Sequence, residues 1–191
     1  MSADFELKEI VALSLLKEHI LSTKHLVFEV STDYCMKPFL LNDDQIIIHK
    51  VAAKDLTSGD VVVYQGGNCF YVHRFLYKYL SKVNGNSAYM LITKGDNLIY
   101  PDSPFPEEKL IGKAVIIRRK NNEVCLEGFF WRKVNYILGI LCLSQLFIYR
   151  LLRFIKIFFW KDRTIPFAEP LKKIFTLPLK PIVSVLRLCF S

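Results

Sequence analysis

Between residues 24 and 128 the chain breaks into short apolar runs, many β-branched or alternating, at 26–30, 45–51, 60–65, 69–77, 89–93 and 113–119. Turn chemistry separates them: Asn42-Asp43-Asp44, Ser58-Gly59-Asp60, Gln65-Gly66-Gly67-Asn68, Asn84-Gly85-Asn86 and Pro101-Asp102-Ser103-Pro104. Asn, Asp and Ser bond their own backbone in turns and Gly supplies φ > 0, so each cluster ends a strand. Many short strands without long helices between them predict a mainly β, antiparallel domain. The flanks read differently. Residues 4–21 hold no Gly or Pro, and Leu7, Ile10, Val11 and Leu21 fall near one helical face that Ser14 and Glu18 interrupt, which predicts an N-terminal amphipathic helix. Residues 134–149 form a 16-residue uncharged run, after which Arg150, Arg153 and Lys156 punctuate aliphatic and aromatic residues. A span needs about 20 apolar residues. This run therefore spans only if its flanking cations snorkel, and a basic aromatic helix lying in the membrane interface is the equal alternative. The chain thus divides into an N-terminal amphipathic helix (1–23), a β domain (24–128) and an apolar, basic helical tail (129–191).

Composition sharpens this division. Of 191 residues 52% are hydrophobic, with only 8 Gly and 8 Pro, which excludes a disordered or collagen-like chain. The net charge of +8 is concentrated: residues 129–191 carry 11 basic and 2 acidic side chains, while residues 1–128 carry 15 and 16. Cations mixed with aliphatic and aromatic residues suit membrane lipid headgroups and offer no recognition helix for nucleic acid. An all-α bundle packed on the β domain would leave that excess unexplained. Five widely spaced cysteines, without a CxxC pair, predict neither a disulfide framework nor a structural zinc, and fit a reducing compartment. His19, His25 and His49 have no partners at ligand spacing, so no metal and no cofactor is expected. Charged residues interleave the first 22 positions, which argues against a secretory signal peptide there.

Four residues could carry chemistry. Cys35 follows a strand and precedes a turn, placing its thiol at a corner, although a free cysteine is more often a small buried hydrophobe. His73 alternates with Tyr71 and Phe75 on one strand face, where a core histidine is the commoner finding. Asp96 and Asp102 sit in turn sequences. Their order and surroundings alter that reading: Cys35-Met36-Lys37-Pro38, Gly59-Asp60-Val61-Val62-Val63-Tyr64, Val72-His73-Arg74, Thr93-Lys94-Gly95-Asp96-Asn97 with Asp102 six residues on, then Leu110-Ile111-Gly112-Lys113-Ala114. Across residues 27–119 the series resembles the type I signal peptidase superfamily, in its endoplasmic-reticulum, archaeal and spore-former branch.

The resemblance implies a signal-peptidase-like β catalytic domain in which Cys35 stands at the position of the nucleophilic serine, His73 at the general base, and Asp96 and Asp102 at the two acids. Asp96 is expected to orient the imidazole, with Asp102 as the alternative. A thiol ionises far more readily than a hydroxyl and suits an imidazole partner. Asp33, two residues before the nucleophile, would repel a developing oxyanion, so stabilisation would fall to the Cys35 backbone N–H and its neighbours. The family's transmembrane helix precedes the catalytic domain, whereas here the apolar segment follows it. The implied function is a membrane-associated peptidase that removes a leader or signal segment from a precursor peptide, at the cytoplasmic membrane. The first alternative is a catalytically inert module that presents a precursor peptide to a membrane exporter. The second is a self-cleaving repressor, which the short N-terminal segment and the histidine base disfavour.

Overall fold

The computed structural model describes residues 25–31, 34–83 and 86–160. The helix expected over 1–23, the carboxylate of Asp33 and the tail beyond 160 lie outside the described residues. Those described form eight strands: β1 (His25–Glu29), β2 (Gln45–His49), β3 (Val61–Gly66), β4 (Cys69–Val83), β5 (Asn86–Lys94), β6 (Phe105–Pro106), β7 (Leu110–Arg119) and β8 (Asn122–Cys125), followed by one helix, α1 (Phe129–Trp160). All pair antiparallel in the order β1-β2-β7-β3-β4-β5-β6, and β8 joins β7. The fold is therefore mainly β with one C-terminal apolar helix, as the alternating runs and the late uncharged segment predict.

Strand β7 makes the sheet curl. It pairs with β2 along one edge from Lys113 to Arg118, while its other edge pairs first with β3 and then, from Ile116 to Arg119, with β8. Register shifts at Ile47/Ile48, Val63/Tyr64 and Phe75/Tyr77 add twist, since an extra residue on one strand bends it. The third leaves Leu76 opposite no partner, two residues beyond Arg74 on β4.

Strand β3 shows why its run Val61-Val62-Val63-Tyr64 does not alternate with polar residues: both faces are covered. Val61 and Val63 pack with Met36, Phe39, Ile46, Leu76 and Ile92 on one side. Val62 and Tyr64 pack with Phe75, Leu91 and Phe105 on the other. Strands interior to two cores read as continuous apolar runs for this reason. Successive side chains on β4 likewise go to opposite faces. His73 stands with Tyr64 and Tyr71, whose ring centroids are each 6.2 Å from its own, and Arg74 turns toward the helix.

Helix α1 starts earlier than residue 134 and runs uninterrupted past Arg150. Asn135, Leu138, Cys142 and Leu146, spaced three and four apart, are all buried, and the last three belong to the larger core. The core thus crosses the compositional boundary at residue 128. Two glycines let helix and domain meet. A Cβ on Gly59, whose φ is +98°, would stand 2.0 Å from the Asn135 carbonyl oxygen, and one on Gly139 would stand 2.5 Å from Gly59 N. The opposite face of α1 exposes Ile137, Ile140, Phe147, Ile148 and Leu151. Residues Phe129–Phe154 are long and apolar enough to cross a membrane by length and composition.

Candidate active site

The three chemical groups meet where β5 ends and the chain returns toward β6. Cys35 lies in the turn between β1 and β2, which is pinned from below: Met36, Phe39 and Leu40 are essentially fully buried, and Leu40 N donates to Met36 O at 3.0 Å. The thiol-bearing residue itself stays partly exposed. The turn Lys94-Gly95-Asp96-Asn97 clasps it from the side, with Asn97 N donating to Cys35 O at 2.8 Å and Asn97 Nδ2 donating to Tyr34 O at 3.3 Å. Gly95 is what allows the approach. A Cβ there would stand 2.9 Å from Cys35 O and 3.0 Å from Cys35 Cβ, with Leu98 equally close.

His73 Nδ1 lies 2.6 Å from Asp102 Oδ2. A carboxylate only accepts, so Nδ1 carries the proton, and Nε2 is the ring nitrogen left for a second partner. The His73 side chain is 5% exposed and that of Asp102 19%. Asp102 is held from several sides: its N–H donates to Thr93 O at 2.8 Å, Thr93 Oγ1 donates to its Oδ2 at 2.6 Å, and the Tyr64 phenol also hydrogen-bonds to it. Burial would raise the Asp102 carboxyl, but hydrogen bonds from His73, Thr93 and Tyr64, with the His73 charge, bring it below its ordinary value. For His73 burial works downward. The hydrogen bonds with Asp102 and Cys35, and the charges of both, outweigh it and raise the imidazole to about 9.

Asp96 does not orient the imidazole. Its two oxygens accept from Arg74 Nε and NH2 at 2.7 Å each, a buried bidentate pair. The geometry thus gives the orienting place to Asp102, the residue the sequence reading held as the alternative. The reason is strand alternation: His73 and Arg74 are adjacent and point to opposite faces, so the acid that grips one cannot reach the other. Thr93 and Tyr64, which complete the cradle of Asp102, carried no sequence signal beyond lying within the motif strings.

The arrangement joins an imidazole to a buried carboxylate, with the thiol of Cys35 on the neighbouring turn. Among the described residues, no group of three or more His, Cys, Asp or Glu side chains is placed to hold a metal ion. A cavity of about 630 Å³, lined by Ser58, Asp60, Lys113, Glu127, Arg132 and Asn135 among others, touches none of Cys35, His73 and Asp102. Neither a family model nor a curated protein matches the chain.

Proposed function

We propose that the protein is a membrane-associated cysteine peptidase of the signal-peptidase type, cleaving a leader or signal segment from a precursor peptide at the cytoplasmic membrane. The supporting observation is His73 held at 2.6 Å by Asp102 through Nδ1, with Cys35 near enough to raise the imidazole. In the forward step the Cys35 Sγ–H proton passes to His73 Nε2 and Sγ bonds to the scissile carbonyl carbon. The carbonyl oxygen takes the negative charge, with the Cys35 N–H as its assigned donor. Collapse of that intermediate breaks the C–N bond, and the leaving amine nitrogen receives the proton from His73. Water then adds to the thioester, giving its proton to His73, and Cys35 leaves and is reprotonated. Asp102 keeps Nδ1 protonated throughout, so that Nε2 faces the thiol.

The membrane part of the proposal rests on α1. Its exposed face is aliphatic and aromatic, and Arg150 and Arg153, both exposed, follow where the domain ends. Anionic headgroups complement that combination. A lipid surface and a precursor peptide are thus the proposed partners, with a peptide exporter as the route by which the product leaves.

The test uses the full chain in mild detergent, treated with iodoacetamide at pH 7 and peptide-mapped with time. Cys35 should be modified ahead of Cys69 and Cys125, although those two are more exposed, and His73→Ala should remove the preference. Incubation with a proteome-derived peptide library should yield new N-termini with the wild type and none with Cys35→Ala. A Cys35 that reacts no faster than Cys69 overturns the peptidase reading. Fast labelling without new N-termini in the library moves the protein to the inert, precursor-presenting reading.

A further inference from the structure

Arg74 is fully buried and touches four separate parts of the chain. It pairs with Asp96 in the turn that clasps Cys35, its guanidinium lies 4.8 Å above the ring of Phe39 in the nucleophile turn, and NH1 donates to Gly59 O at 2.7 Å. The fourth partner comes from the helix: NH1 also donates to Asn135 Oδ1 at 2.9 Å. Asn135 is itself buried, one turn before Leu138 on the docked face of α1. Higher on the same helix, Gln145 Oε1 accepts from the buried Lys94 Nζ at 3.3 Å, and Tyr149 OH reaches Tyr100 OH, two residues before Asp102, at 3.2 Å.

We infer that Asn135 is a positioning residue for the Cys35–His73 pair, acting through Arg74, so that the seating of α1 on the domain sets the reactivity of the thiol. The inference rests on the peptidase reading above. The physical path is short. Arg74 is the backbone neighbour of His73 and the bidentate partner of Asp96, and Asp96 is the neighbour of Gly95 and Asn97, which fix the position of Cys35. A guanidinium holds five N–H donors in a rigid plane, so loss of one acceptor rotates the whole group and not one bond. Rotation to recover an acceptor would move Asp96 and, with it, the turn under Cys35. The thiol reacts only as thiolate, so its rate of alkylation responds to how its turn is held.

The test needs no substrate. The rate of Cys35 alkylation by iodoacetamide, followed against pH in full-length protein, reports the thiolate held by His73. Asn135→Leu has a similar volume and no acceptor. It should lower the rate at pH 7 on the order of tenfold and move the profile toward that of an ordinary thiol. Asn135→Asp keeps an oxygen facing Arg74 and should restore the rate to within about twofold of wild type. Asn135→Ser, too short to reach, provides the same comparison as the leucine variant if leucine prevents folding. A melting temperature that falls in Asn135→Leu with an unchanged alkylation profile would make Asn135 a packing residue and overturn the inference. A wild-type profile already that of an ordinary thiol would overturn the Cys–His reading itself, a separate result visible before any variant is made.

Discussion

Replacing Asp102 by Asn should change how stability depends on pH, and the sign follows from the imidazole. His73 is raised from 6.5 to about 9, burial opposing and its bonds to Asp102 and Cys35 prevailing. Between those two values the folded protein keeps a proton that the unfolded chain has released. The stability contributed by this group is therefore complete below pH 6.5 and is lost as pH rises through about 9. At 1.36 kcal/mol per pH unit the interval corresponds to about 3 kcal/mol as an upper bound, because Cys35 shares in the shift. For a chain of this length that is about 6–12 °C in Tm. Asp102→Asn removes the carboxylate and leaves burial opposed by Cys35 alone, so the decline between pH 6.5 and 9 should shrink markedly. Asp96→Asn is the control: it weakens the Arg74 pair and lowers Tm at every pH, but leaves the decline in place. The assay is thermal unfolding of the full chain in non-ionic detergent from pH 6 to 9.5, read as wild type minus variant. A difference for Asp102→Asn that stays constant over that range would refute the His73–Asp102 assignment.

Two further outcomes are expected. Gly95→Ala should slow Cys35 alkylation at neutral pH, because the new methyl lies 2.9 Å from Cys35 O and 3.0 Å from its Cβ; alkylation at the wild-type rate would mean that the nucleophile turn is not held by that contact. The full chain should sediment with vesicles of anionic phospholipid at low salt and be released in part at 1 M salt, where the Debye length falls to about 3 Å; retention until detergent is added would indicate a spanning helix instead.

Most strands could be read from the residues because alternation and turn chemistry are local properties. The sheet's short members could not. Phe105–Pro106 is two residues long, and Asn122–Cys125 carries mixed polarity, so both depend on neighbours that supply the pairing. The motif order put Asp96 ahead of Asp102 as the acid that orients His73, and the contacts are the reverse. That choice is made by which face of β4 each side chain meets, a three-dimensional fact. Asn135 was hidden for the same reason: an amide inside an uncharged run looks like an interruption until a buried arginine from residue 74 is brought against it.

The helix shows how packing limits a reading based on hydropathy. Residues 134–149 look like the best candidate for insertion, yet Asn135, Leu138, Cys142 and Leu146 are turned into the β domain. A segment cannot give that face to a protein core and also be surrounded by lipid. Tyr149, one turn further on, still reaches Tyr100 with its hydroxyl at 3.2 Å. Beyond it Arg150, Arg153 and Lys156 interrupt the apolar surface. The same cations suit a helix lying at the headgroup level, its free aliphatic face toward the lipid and its docked face toward Arg74.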